Sequence, residues 1–241
     1  MEHVIAPGNR QSEFDKRSKI SVVAIAGSTG GTDALRRILA CLPEDFPASV
    51  LYVQHLNGSC CSLLAEVLQR HTLLKVRWAR QGDRLEAGVV YFSPAGFSPF
   101  VHPDGTLTLA PTATSREVLH RADHLFTSLA ASYAHRAVAI VLSGGGWDGS
   151  DGVYAVRAQH GKVLAQDESS ALQWSMPQAA IATGCLDLVL RPRDIAPVLV
   201  NLAGTGIRSP LCGRVPLGPR KQVCLSRLRS KVPWTYSSRL H

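Results

Sequence analysis

No stretch of this sequence runs for the ~18 uninterrupted apolar residues that a membrane-spanning helix requires. The first twenty residues, among them Glu2, Arg10, Glu13, Asp15, Lys16 and Arg17, contain no apolar signal-peptide core. The expectation is a soluble, cytoplasmic protein with a polar N-terminal extension over residues 1–19. Cysteine is scarce, and the six present (Cys41, Cys60, Cys61, Cys185, Cys212, Cys224) lack metal-ligand spacing. A chain of 241 residues also folds without disulfide staples, so reduced thiols are expected. Neither the Gly-Lys-Ser/Thr ending of a P-loop nor a Gly-x-Gly-x-x-Gly fingerprint occurs, which removes the strongest nucleotide signals. Beyond Asp194 there is no acidic residue at all. Residues 205–241 carry Arg208, Arg214, Arg220, Lys221, Arg227, Arg229, Lys231 and Arg239, which account for the whole net charge of +8. The remainder is neutral, which argues against specific nucleic-acid binding. The tail also holds Pro210, Pro216, Pro219 and Pro233 and is read as irregular, its candidate contact being an acidic partner or a membrane surface.

What is present is an apolar content of 45%, enough for one good core. Strand and helix signals alternate from residue 20 to 204, which predicts a single α/β domain with a doubly wound, mostly parallel, Rossmann-like sheet. Strands are expected at 20–27, 49–55, 75–79, 137–143, 162–165 and 186–190. Helices are expected at 32–42, 121–134, 150–159 and 193–203, with shorter ones near Leu63–Leu68 and Gln178–Thr183. Between Gly82 and Pro111 the texture changes to short strands around the turn Pro103-Asp104-Gly105, a small inserted β-hairpin.

Three apolar runs stop at polar tips. Val22-Val23-Ala24-Ile25-Ala26-Gly27 leads to Ser28-Thr29-Gly30-Gly31, Val50-Leu51-Tyr52-Val53 leads to Gln54-His55, and Ala137–Leu142 leads to Ser143-Gly144-Gly145-Gly146-Trp147-Asp148-Gly149. In a parallel sheet these tips share the carboxyl edge, where open α/β folds place their sites. The glycine-flanked turn at Ser28 fits a phosphate cradle at a helix N-terminus. A nucleophile at Ser28 makes better use of the other tips, with His55 as base and Asp148 as the group orienting that base. Gly144, Gly145 and Gly146 allow inward backbone N–H groups for an oxyanion. The order Ser, His, Asp is not that of α/β-hydrolases, and Gly-x-Ser-x-Gly is not matched at Ser28.

In order along residues 20–203, Ala26–Thr32, Gln54-His55, Val141–Gly149, Gly82-Asp83, Tyr91–Gly96, Asp123-x-Leu125-Phe126, Ala165–Glu168 and Ser175-Met176-Pro177 resemble the catalytic domain of the CheB-type chemotaxis protein-glutamate methylesterases. The resemblance implies hydrolysis of glutamate γ-methyl esters on chemoreceptor cytoplasmic helices, with glutamine deamidation as a second activity. It needs no cofactor and no metal. Ser28 is the implied nucleophile, His55 the base and Asp148 the orienting carboxylate. Thr29 supports the histidine side and the Gly145 N–H helps bind the oxyanion. Trp147, Met176 and Arg121 are candidates to line the substrate pocket.

The sequence also departs from that family. Gly145 and Trp147 stand where Met and Asn are usual, and Leu119-His120-Arg121 replaces a common Arg-Pro-Ser element. His120 and His124 lie four apart on an expected helix, with no third metal ligand in sight. Only about 19 polar residues precede the first strand, too few for the family's N-terminal receiver domain, so a receiver-less enzyme is expected. A non-catalytic member binding receptors or another signalling protein, and an esterase with another substrate, remain alternatives.

Overall fold

A computed structural model of the chain describes residues 19–54, 63–112, 114, 117 and 119–204. The N-terminal extension up to residue 18, His55, Cys60, Cys61 and the basic tail lie outside the described residues. Among the described residues, Cys185 carries a free thiol.

A strand apolar at every position must be covered on both faces, and β1 (Val22–Gly27) is buried throughout. Its side chains alternate. Val23 and Ile25 enter one apolar layer, and Val22, Ala24 and Ala26 enter the other. β1 is paired in parallel with β2 (Ser49–Gln54) on one side and β7 (Ala137–Val141) on the other. With β3 (Lys75–Trp78), β4 (Val89–Phe92), β8 (Lys162–Gln166) and β9 (Leu188–Leu190), these form a parallel seven-stranded sheet in the order β3-β4-β2-β1-β7-β8-β9. The order reverses at β1. The chain first builds outward through β2, then returns to lay β7 on the opposite flank of β1.

The helices follow the sheet's two faces. α1 (Gly31–Leu39) buries Ala34, Leu35, Ile38 and Leu39, spaced by three and four residues as one helical face requires. Leu35, Ile38 and Leu39 each contribute about 1.5–3 kcal/mol when fully buried. It shares its layer with Leu68 of α2 (Leu64–Gln69) and with Ile195, Ala196 and Leu199 of α6 (Pro192–Leu202). The opposite layer holds Leu125, Phe126 and Leu129 of α3 (Arg121–Tyr133), Val153 and Val156 of α4 (Ser150–Ala158), and Met176 and Ala180 of α5 (Ser175–Ala182). Among the described residues no helix is long and apolar enough to cross a membrane.

The hairpin of β5 (Phe97–Val101) and β6 (Leu107–Pro111) is antiparallel and separate from the main sheet. Val101 and Leu107 join the layer containing α3. Ser128 and Ser132 of that helix take the N–H and C=O of Val101 at 3.1 and 2.9 Å. The hairpin is thereby stitched to α3, the helix that begins beside the sheet's carboxyl edge. The expected strand 137–143 ends at Val141, because Ser143 turns its N–H to the Gln166 side chain at 2.9 Å.

Candidate active site

The turn after β1 is built by contacts that exclude side chains. A Cβ on Gly27 would lie 2.9 Å from the Tyr52 hydroxyl, and one on Gly31 would lie 3.0 Å from both that hydroxyl and the Ser143 carbonyl. Burial holds the Tyr52 phenol above its ordinary pKa, so this wall of the turn is neutral. Gly30 sits at φ 83°, the left-handed region that glycine enters without steric cost. Ser28 between them is half-buried. Its N–H donates to Ser143 O at 3.0 Å and its carbonyl accepts from Gly31 N–H at 2.9 Å. Ser143 completes the brace by donating its hydroxyl to Thr29 O at 2.7 Å and accepting from Gln173 N–H at 2.9 Å. The backbone of Ser28 is therefore fixed by bonds that leave its own hydroxyl out. Among the described residues no hydrogen bond engages that oxygen.

The loop after β7 packs on the same turn. A Cβ at Gly144 would strike the Met176 sulfur and lie 2.9 Å from Ser28 Cβ. Gly144 N–H is engaged by Gln173 O and its carbonyl accepts from Met176 N–H, both at 3.0 Å. Gly145 has nothing within 4 Å of a Cβ position and no positive φ, while Gly146 turns at φ 84°. Among the described residues no hydrogen bond engages the Gly145 N–H. Gly144→Ala is expected to destabilise the protein by about 1–3 kcal/mol through overpacking. Gly145→Ala should stay within about 0.5 kcal/mol of the parent. Urea denaturation of the two variants checks this, and equal stabilities would contradict the packing described.

Asp148 is 3% exposed and lies just before α4. Its carboxylate accepts from Ala122 N–H at 2.9 and 3.1 Å and from Asp123 N–H at 3.1 Å, the first free amides of α3. Reciprocally, Asp123 accepts from Gly152 N–H in the first turn of α4 at 2.8 Å. Each helix thus caps the other's N-terminus with a carboxylate, satisfying amides that a helix start leaves unpaired. Close approach makes this reach feasible, since a Cβ on Gly152 would lie 2.7 Å from Phe126 Cβ. Burial pushes the Asp123 carboxyl above its ordinary pKa, and the neighbouring charges of Asp148 and Asp151 add to the rise. The Gly152 N–H and His120 oppose it. His120 Nδ1 lies 2.8 Å from the second Asp123 oxygen. Donor atoms of His120, Asp123 and Asp148 fall within 4.8 Å of one another, a grouping not legible from the His120/His124 spacing. Backbone amides already engage both carboxylates, so the cluster serves as the cap.

The sequence candidates separate in space. Ser28, Gly145 and Asp148 belong to turns on one edge, at the ends of β1 and β7. His55 lies outside the described residues. Gln54, which precedes it, is paired with Gln's neighbour across the ladder, Gly27, so the strand residues before Ser28 and His55 are adjacent. Thr29 contributes its carbonyl to the brace while its side chain is exposed. Trp147 is 56% exposed, standing open at the rim. Met176, 1% exposed, backs the Gly144 turn. Arg121, also 1% exposed, directs its guanidinium inward to Phe97 O, Gln54 O, Ser93 Oγ and Pro94 O at 2.7–2.9 Å. Residues to which the sequence reading assigned no individual role include Ser143, Gln166, Gln173 and Thr32. Thr32 Oγ1 donates to Gln54 Oε1 at 2.5 Å.

A doubly wound parallel α/β sheet, with a serine turn, a glycine loop and a helix-capping aspartate gathered at its switch point, defines the class of this protein. Residues 23–199 match the family model described as CheB methylesterase. The chain belongs to the CheB methylesterase family. It is 38% identical over 191 residues to a protein-glutamate methylesterase/protein-glutamine glutaminase of Moorella thermoacetica, covering 78% of this chain and 45% of that protein. It is 36% identical over 180 residues to the protein-glutamate methylesterase FrzG of Myxococcus xanthus, covering 75% and 54%. The crystal structure of the Thermotoga maritima CheB methylesterase catalytic domain superposes with a TM-score of 0.70 at 29% identity, covering 76% of this chain and 98% of that one. The chain spans about half the length of the curated relatives it matches.

Proposed function

We propose that this chain hydrolyses glutamate γ-methyl esters on the cytoplasmic helices of chemoreceptors, and deamidates receptor glutamines by the same acyl transfer. The reading is supported above all by the pairing of Gly27 with Gln54. Gly27 and Gln54, which precede Ser28 and His55 in the sequence, lie side by side on adjacent parallel strands, whose spacing is about 4.8 Å.

In this reading Ser28 Oγ adds to the ester carbonyl while His55 takes its proton. Asp148, its charge held by two α3 amides, orients the imidazole and stabilises its cation. The Gly145 N–H, without a hydrogen bond among the described residues, donates to the oxyanion. Collapse breaks the C–O bond, and the methoxide leaves as methanol with the proton from His55. Water, activated by His55, then cleaves the acyl-enzyme to glutamate and restores the Ser28 hydroxyl. With glutamine the leaving group is ammonia.

Membranes carrying methyl-labelled chemoreceptors test this directly. The protein is expected to release labelled methanol well above the protein-free background. Release no greater than background would overturn the receptor-methylesterase reading.

A further inference from the structure

We infer that Arg121 is a positioning residue: its guanidinium locks Gln54, the last residue of β2, to the helix start that holds Asp148. The inference rests on the hydrolase reading above, in which His55 must stand in a fixed relation to both Ser28 and Asp148.

Helix formation does not account for an arginine here. Arg121 is the first residue of α3, where a cation faces the positive end of the helix dipole, and its burial strips the charge of water. What the side chain gains is a set of directed bonds to three separate segments. Nη1 donates to Gln54 O at 2.8 Å, at the last residue of β2. Nη2 donates to Ser93 Oγ and Pro94 O at 2.9 and 2.8 Å, just past β4. Nε donates to Phe97 O at 2.7 Å, at the start of the hairpin. A guanidinium is a rigid planar fork, so these bonds fix direction as well as distance.

The backbone of the same helical turn does the complementary task. Ala122 and Asp123, the next two residues, donate their N–H groups to Asp148. One helix start therefore holds the end of β2 through a side chain and the Asp148 carboxylate through its amides. Gln54 is gripped from the nucleophile's side as well, because Thr32 of α1 donates to its side chain. Ser28 depends on none of this, since Ser143 and Gly31 hold its backbone. Loss of the Arg121 fork should release the Gln54 carbonyl, the peptide bond that leads into His55, and leave the serine turn in place. A displacement of about 1 Å at a catalytic group is enough to cost on the order of 10²-fold in rate.

The test uses the full chain and diethyl p-nitrophenyl phosphate, which phosphorylates an activated serine and releases p-nitrophenolate as a burst. Burst amplitude counts correctly folded sites, and burst rate constant reads activation of Ser28 by its base. Arg121→Met and Arg121→Lys are expected to keep an amplitude near one per chain while the rate constant falls about 100-fold and at least tenfold, respectively. Arg121→Lys retains the charge and most of the length, so it carries the test if Arg121→Met fails to fold. A lower amplitude with an unchanged rate constant would show a purely structural role and overturn the inference. An absent burst in the parent would overturn it together with the nucleophile assignment. A normal parent burst without methanol release from receptors would overturn only the substrate reading, and a slowed burst in the variants would still support Arg121 as the positioning residue.

Discussion

Ser28→Ala is expected to lower ester hydrolysis by about 10⁵–10⁶-fold, the scale on which removing a catalytic serine acts, while leaving the fold intact. The two halves of this expectation come from different bonds. The backbone N–H and C=O of Ser28 hold the turn through Ser143 and Gly31, and alanine keeps both. Only the hydroxyl is lost, and no described partner depends on it. Stability should therefore change by no more than about 0.5 kcal/mol, as for a substitution that breaks no contact. Turnover within tenfold of the parent would mean that another group attacks the ester.

Asp148→Asn is expected to cost about 10³–10⁴-fold in turnover, because an amide cannot hold the base in the correct tautomer or stabilise its cation. The structural penalty is separable. Asparagine still presents one oxygen to the amides of α3, whereas Asp148→Ala leaves Ala122 N–H and Asp123 N–H buried without that acceptor. The alanine variant should lose about 1–3 kcal/mol of stability, the cost of an unsatisfied buried donor. Single-turnover kinetics and denaturant titrations on both variants check the two effects. An asparagine variant within tenfold of parental activity would remove Asp148 from the catalytic unit and leave it as a helix cap alone.

Much of this arrangement was legible as pattern. Apolar runs ending in Gly27-Ser28, Gln54-His55 and Ser143-Gly144 announced parallel strands with polar tips, since a strand covered on both faces has no other polar positions. The glycines of both turns signalled tight backbone, yet not which of them tolerates a side chain. That depends on what packs opposite, and Gly144 meets Ser28 where Gly145 meets open space. Arg121 shows the same limit from the other direction. It shares the buried face of α3 with Leu125 and Leu129, and a charged side chain is rarely buried without partners. Its acceptors come from segments 24 to 67 residues away, and local sequence carries no trace of them. The brace of Ser143, Gln166 and Gln173, and the Thr32–Gln54 bond, were hidden for the same reason.

The most direct measurement of the central claim is the position of the covalent adduct after the native chain reacts with a serine-directed organophosphate, read by peptide mass spectrometry. The expected result is a single adduct on Ser28, formed stoichiometrically in the parent, much more slowly in Asp148→Asn and not at all in Ser28→Ala. An adduct on another residue, or one that persists in Ser28→Ala, would contradict the assignment of Ser28 as the nucleophile.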